Sequence, residues 1–242
     1  MGVSIVERYN TTYRAGSATQ TAEYDEGLRA YMLKVYNYMA SGVLLTGIVA
    51  LMVSQNQGLM QAIFSGPQAY IVMFAPLAFV MVMSFGVHKM KSSTLQMIFW
   101  AYAAVMGLSI SSIFLVYSTE SIARTFFITA ASFGALSLYG YTTKKSLSGM
   151  GTFLMMGLFG LIIASIVNMS LNSEPMQFVI SVAGVLIFAG LTAYDTQRIK
   201  ENYFMMTTGE AVAKGAIMGA LNLYLDFVNL FMMLLRLLGN RD

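Results

Sequence analysis

Two aspartates stand where apolar sequence makes them costly: Asp226 inside AKGAIMGALNLYLDFVNLFMMLLR, and Asp195 at the end of FAGLTAYD. Read as a helix, Ala213 to Leu235 is about 35 Å long, enough to cross a bilayer with Asp226 near the midplane. A charged carboxylate facing lipid at that depth costs at least ~2.5 kcal/mol, so it must face protein or water, be protonated, or be paired. Gly215, Gly219, Asn222, Asp226 and Asn229 follow one another at helical spacing and share a face, while Leu221, Leu225, Val228 and Met232 occupy other parts of the surface. The spacing predicts a helix surrounded by others.

Asp195 has two readings. It is either an interfacial residue balanced by Arg198, three positions later, or the partner of Asp226. Consecutive helices joined by a short link are expected to be neighbours, so acids on facing sides can meet, although Asp195 reads as shallower unless its helix continues past it. Two close carboxyls in a low dielectric share a proton and titrate as a unit. Ionised, the pair offers hard oxygen ligands to Ca²⁺, but fewer than the roughly six to eight that ion takes, so Asp195 and Asp226 would make only a weak calcium site in which protons compete. Asn222 and Asn229 would complete a polar chamber around them or serve as links between helices. Gly215 and Gly219 permit close helix packing. His88 reads as a surface residue, Glu120 and Glu174 as marks of an entrance at the opposite end, the methionines as apolar filling, and Trp100 as an interface anchor.

These groups need a membrane bundle to hold them. Of 242 residues, 57% are hydrophobic and 10% charged, and the mean hydropathy is +0.66; a soluble domain carries about 25% charged residues. The apolar runs are too long for strands of an outer-membrane barrel, which leaves an all-α polytopic membrane protein. Cys is absent, which removes thiol chemistry and disulfides. No cleavable signal is visible. The sequence pI near 9.0 is read as loop charge that orients the chain rather than as a nucleic-acid surface.

Residues 1–34 are expected to form a cytoplasmic N-terminal tail leading into the first helix, irregular over the Ser/Thr/Gly-rich stretch from Thr11 to Thr21; residues 35–242 form the membrane domain. Seven spans are predicted over 35–54, 68–87 with Pro76 inside, 95–117, 122–139, 150–169, 176–194 and 213–235, with a polar link from Asp195 to Val212. Of the 14 Lys and Arg residues, all but Arg124, Arg236 and Arg241 fall in the N-terminal segment or the links after even-numbered spans when Lys214 is counted with the last link. The positive-inside rule then places the N-terminus in the cytoplasm and the C-terminus outside. Arg236 and Arg241 leave open a last helix that enters and turns back. The short loops leave no room for a catalytic domain, so function must lie within the bundle.

The stretches GLFGLIIASIVNMSLNS, FAGLTAYDTQRIK and GALNLYLDFVNLFMMLLRLLG together resemble the Bax inhibitor-1, or transmembrane Bax-inhibitor-motif, family, and within it the bacterial YccA-like branch. The resemblance covers the chain from about Glu23 onward. It implies six helices around a central C-terminal seventh, and a pH-sensitive gate at the two positions occupied here by Asp195 and Asp226. It also implies Ca²⁺ leakage or modulation of a membrane-bound AAA protease, with the bacterial inner membrane as location. Many members carry a basic residue on the second helix, whereas Tyr70 to Gly86 has none; Arg198 is the candidate latch in its place.

An intramembrane aspartyl protease would match Tyr194-Asp195, but its second motif, GxGD, is replaced here by LYLD from Leu223 to Asp226. The sequence therefore points away from an enzyme. It points to a pH-modulated calcium or cation leak, with no cofactor and with Ca²⁺ as the transported or weakly bound ion. A noncatalytic protease modulator and a proton-coupled secondary transporter are the alternatives. Expected partners are lipid, Ca²⁺, protons and, for the modulator, a membrane protease; the oligomeric state is open.

Overall fold

The computed structural model of the chain describes the backbone of residues 5–240 and the side chains of residues 26–240. Arg241 and the first four residues lie outside the described residues, as do the side chains of most of the expected tail. The described residues form helices α1 (Ile5–Ser54), α2 (Gln57–Phe64), α3 (Gln68–Gly86), α4 (Ser92–Ile110), α5 (Thr119–Thr142), α6 (Ser148–Leu171), α7 (Glu174–Tyr203) and α8 (Gly209–Leu238), with a 3-10 turn, Ser111–Leu115, after α4. Seven of them are long and apolar enough to cross a membrane: α1 from Glu26, and α3 to α8.

Local chemistry sets the helix ends. Asn56, Ser118, Ser173 and Thr208 each accept a hydrogen bond from a first-turn backbone N–H, satisfying a donor that the helix itself leaves free. Asn172 stops α6 in the left-handed conformation, at φ 47°, one of the few side chains that tolerates it.

α8 is the central helix. In its most apolar window 67% of residues are buried, against at most 39% in any other span. It packs directly against α1, α4, α5 and α7, while α3 packs on α4 and α6 on α7. Phe99, Tyr102 and Tyr224 form an edge-on aromatic cluster at the α4–α8 contact, with ring centroids 6.3 and 5.2 Å from Tyr224. Thr46 of α1 donates to the Ala103 carbonyl of α4 at 2.7 Å, so the Tyr224 hydroxyl of α8, 2.6 Å away, donates to Thr46. Glycine is required where backbones nearly touch: a Cβ on Gly140 of α5 would collide with the Ala193 carbonyl of α7.

Several boundaries differ from the sequence expectation. The backbone is helical from Ile5, including the stretch Thr11–Thr21 expected to be irregular; no proline interrupts it, and an established helix extends at little cost. The first loop holds α2. The third span ends as a 3-10 turn. The largest difference is α7, which runs to Tyr203, nine residues past Tyr194, because nothing in DTQRIKENY breaks a helix. The link before α8 is therefore short.

The two ends of the bundle can be told apart by their contacts. At one end, Gln197 of α7 bonds both Leu147 N and the Lys145 carbonyl, Lys200 bonds the Tyr141 carbonyl, and Glu210 of α8 bonds Ser92 of α4. This end collects the basic links. At the other, Asn240 bonds Ser118 and Ser121 at the start of α5. α8 thus crosses the whole bundle and does not turn back.

Candidate functional site

Packing between α7 and α8 sets the register that brings the two acids together. A Cβ on Gly219 would lie 3.1 Å from Ile199, and one on Gly184 would lie 2.8 Å from Met233. In antiparallel helices these two contacts place Asp195 within about one turn of Asp226. The continuation of α7 past Asp195 removes the expected mismatch in depth, since that residue lies about 12 Å inside the helix end. Asp226 is 4% exposed and Asp195 half-buried. The two carboxyl groups lie close enough to interact, and two carboxyls at that range away from water can share one proton. Asp226 Oδ2 is buried and has no hydrogen-bond donor among the described residues.

Asp195 and Asp226 line a cavity of about 480 Å³ between α6, α7 and α8, together with Asn222, Asn229 and Ser165. Asn229 donates Nδ2 to the Leu225 carbonyl of its own helix at 2.8 Å, which leaves its side-chain oxygen for the cavity. A second cavity of about 630 Å³, at the end with the basic links, shares Asn222 and is lined by His88, Arg198, Glu210 and Lys214. A third, about 480 Å³ at the opposite end, shares Ser165 and Met169 and is lined by Asn168, Glu174, Gln177 and Arg236. The three lie in file along one side of α8, on which Met218, Asn222, Leu225, Asn229 and Met232 are less buried than their neighbours.

The residues expected from sequence fall in different places. Asn222 and Asn229 line the same cavity as the two acids. Arg198 lines the second cavity, is exposed, and makes no ion pair within 4 Å of either aspartate among the described residues. Gly219 is buried against Ile199 of α7 and Gly215 faces Met206, so this pair packs helices within the chain. Of the two proposed entrance acids, Glu174 lines the third cavity; Glu120 is exposed in the first turn of α5. Ser165, Asn168 and Asn172 were not expected there, yet their three- and four-residue spacing in an otherwise apolar span was a visible signal. Glu210 was also missed; its carboxylate accepts from Ser92 N at 2.6 Å and Ser92 Oγ at 2.8 Å, tying α8 to the start of α4.

α8 is unbroken through Leu223–Asp226, so the backbone beside the acid is not opened. Among the described residues no group of three His, Cys, Asp or Glu is placed to hold a metal ion. The pair can share one proton and present oxygen ligands in a cavity whose wall is otherwise mostly apolar.

A model of the family described as inhibitor of apoptosis-promoting Bax1 matches residues 28–242. The chain is 47% identical to the uncharacterized protein RP147 of Rickettsia prowazekii, over 96% of this chain and 98% of that protein. It is 46% identical to inner membrane protein YbhL of Escherichia coli K12, over 89% of this chain and 93% of that protein. An uncharacterized protein of Caulobacter vibrioides is 44% identical, over 90% of this chain and 92% of its own length.

Proposed function

The chain belongs to the family of inhibitors of apoptosis-promoting Bax1, and from the polar side of its central helix we propose that it is a pH-modulated cation leak, with Ca²⁺ as the principal cargo. The observation that carries this reading is the file of three cavities, which adjoin at Asn222 on one side and at Ser165 and Met169 on the other, with the Asp195–Asp226 pair lining the middle one. The shared proton holds α7 and α8 together. Its loss leaves two anions in contact at low dielectric, a state relieved by a cation or by separation of the helices. Asp195, the more exposed acid, meets such a cation first, and the buried Oδ2 of Asp226 is a second oxygen ligand behind it. Ca²⁺ occupancy therefore requires the deprotonated pair and falls as pH falls.

Arg198 is assigned a different role from a latch at the pair. Arg198 lines the second cavity and makes no ion pair with Asp195 among the described residues, so it is proposed to act on ions in that cavity. The protein is placed in the bacterial inner membrane, as YbhL is by its name, with the basic end in the cytoplasm. The narrower YccA-like placement belongs to the same proposal; the relatives named above include YbhL, and its support is their bacterial origin.

Asn222→Leu tests the path. The substitution places an apolar branched side chain at the junction of two cavities, where Asn222 is only half-buried. Ca²⁺ flux in proteoliposomes should fall roughly tenfold while the melting temperature stays close to that of the parent. Unchanged flux from folded variant would remove this route.

A further inference from the structure

On the opposite side of α8 the bundle has a second opening. α1 and α5 both pack on α8, and between them runs an apolar cleft of about 800 Å³, walled by Leu33, Leu44, Ala130 and Phe133 and floored by Phe227. A further 350 Å³ continues it, sharing Val43, Phe126 and Phe227. From Arg29 to Leu44 the cleft runs about 22 Å along α1, more than the ~15 Å depth of one leaflet's hydrocarbon. Charge is found at one end only. Arg29 is exposed at the mouth and has no ion pair among the described residues. Lys144 and Lys145 follow the end of α5, and Lys200 sits 5.0 Å over the Tyr141 ring that lines the mouth.

Away from the mouth, the Tyr36 and Ser137 hydroxyls on the cleft wall are satisfied within the protein. The Tyr36 hydroxyl bonds Ser137 Oγ at 2.6 Å, which in turn meets Thr196 Oγ1 at 2.9 Å. A satisfied wall calls for no water. Small residues keep the cleft wide: a Cβ on Gly134 would meet nothing within 4 Å. We propose that this cleft is a binding site for one anionic glycerophospholipid, with an acyl chain along α1 and α5 and its phosphate at Arg29. A lipid fits because it too is charged at one end and apolar along its length, and because the cleft opens where the bilayer supplies one.

Native mass spectrometry of the full chain released from detergent, after incubation with phosphatidylglycerol or phosphatidylcholine of matched chains, tests this without reference to ion flux. The parent should retain one phosphatidylglycerol in preference to phosphatidylcholine. Arg29→Gln should abolish the preference, a change of roughly tenfold. Gly134→Leu and Ala130→Leu fill the cleft from two positions, and at least one that keeps the parent's lipid-free melting temperature should lose both lipids. The proposal is overturned by equal retention of the two lipids in the parent, by undiminished retention in the filled variants, by failure of both to fold, or by a protein dimer in place of the lipid adduct.

Discussion

Asp226 was legible as an anomaly because its cost depends only on residue type and depth, both readable from the chain. Its pairing with Asp195 was legible only as one of two readings, because the relative depth of the acids depends on where α7 ends, and the apolar pattern fades at Tyr194 while the helix continues. The same limit hid Thr46 and Tyr224. Each reads as an ordinary span residue, and only packing reveals that Thr46 serves the Ala103 carbonyl and the Tyr224 hydroxyl at once. Thr46→Val keeps the shape and leaves both partners unpaired. It should cost about 0.6–2 kcal/mol, read as a lower melting temperature in detergent, with Tyr224→Phe milder because the Thr46 bond to Ala103 survives.

At the scale of elements, glycine separates positions that pack from positions that do not. Gly140 meets the Ala193 backbone, so Gly140→Ala should overpack the α5–α7 contact and destabilise by about 1–3 kcal/mol. Gly160, in a lipid-facing part of α6, has nothing within 4 Å of its absent Cβ; Gly160→Ala should stabilise by about 0.5–1 kcal/mol through helix propensity. Thermal unfolding of the two variants side by side would show opposite signs. Sequence alone does not separate the two, since each is a glycine within an apolar span. The existence of the seven spans was legible from hydropathy, but α2 was too short to stand out, and the ends of the third and sixth spans were set by backbone geometry and continuation rather than by apolar pattern.

For the whole molecule, charge gathers at one end of the bundle, with the links after α3, α5 and α7 joined there by Glu210, Gln197 and Lys200. The chain has no cysteine, so Ser146→Cys and Glu120→Cys each introduce a single reporter. A membrane-impermeant thiol reagent added to intact cells should label Glu120→Cys and spare Ser146→Cys. The reverse pattern would invert the proposed orientation. α8 holds the molecule together on three sides and leaves its fourth to the file of cavities, so the same helix serves as core and as the wall of the proposed path. The central claim is that the shared proton between Asp195 and Asp226 sets the flux. Its most direct test is Ca²⁺ flux in liposomes from about pH 5 to about pH 8, on the two sides of neutrality where a shared proton can be gained or lost. The parent protein should carry more Ca²⁺ as pH rises, and D195N/D226N at equal density should lose that dependence while remaining folded. An unchanged pH response in the double variant would contradict the claim.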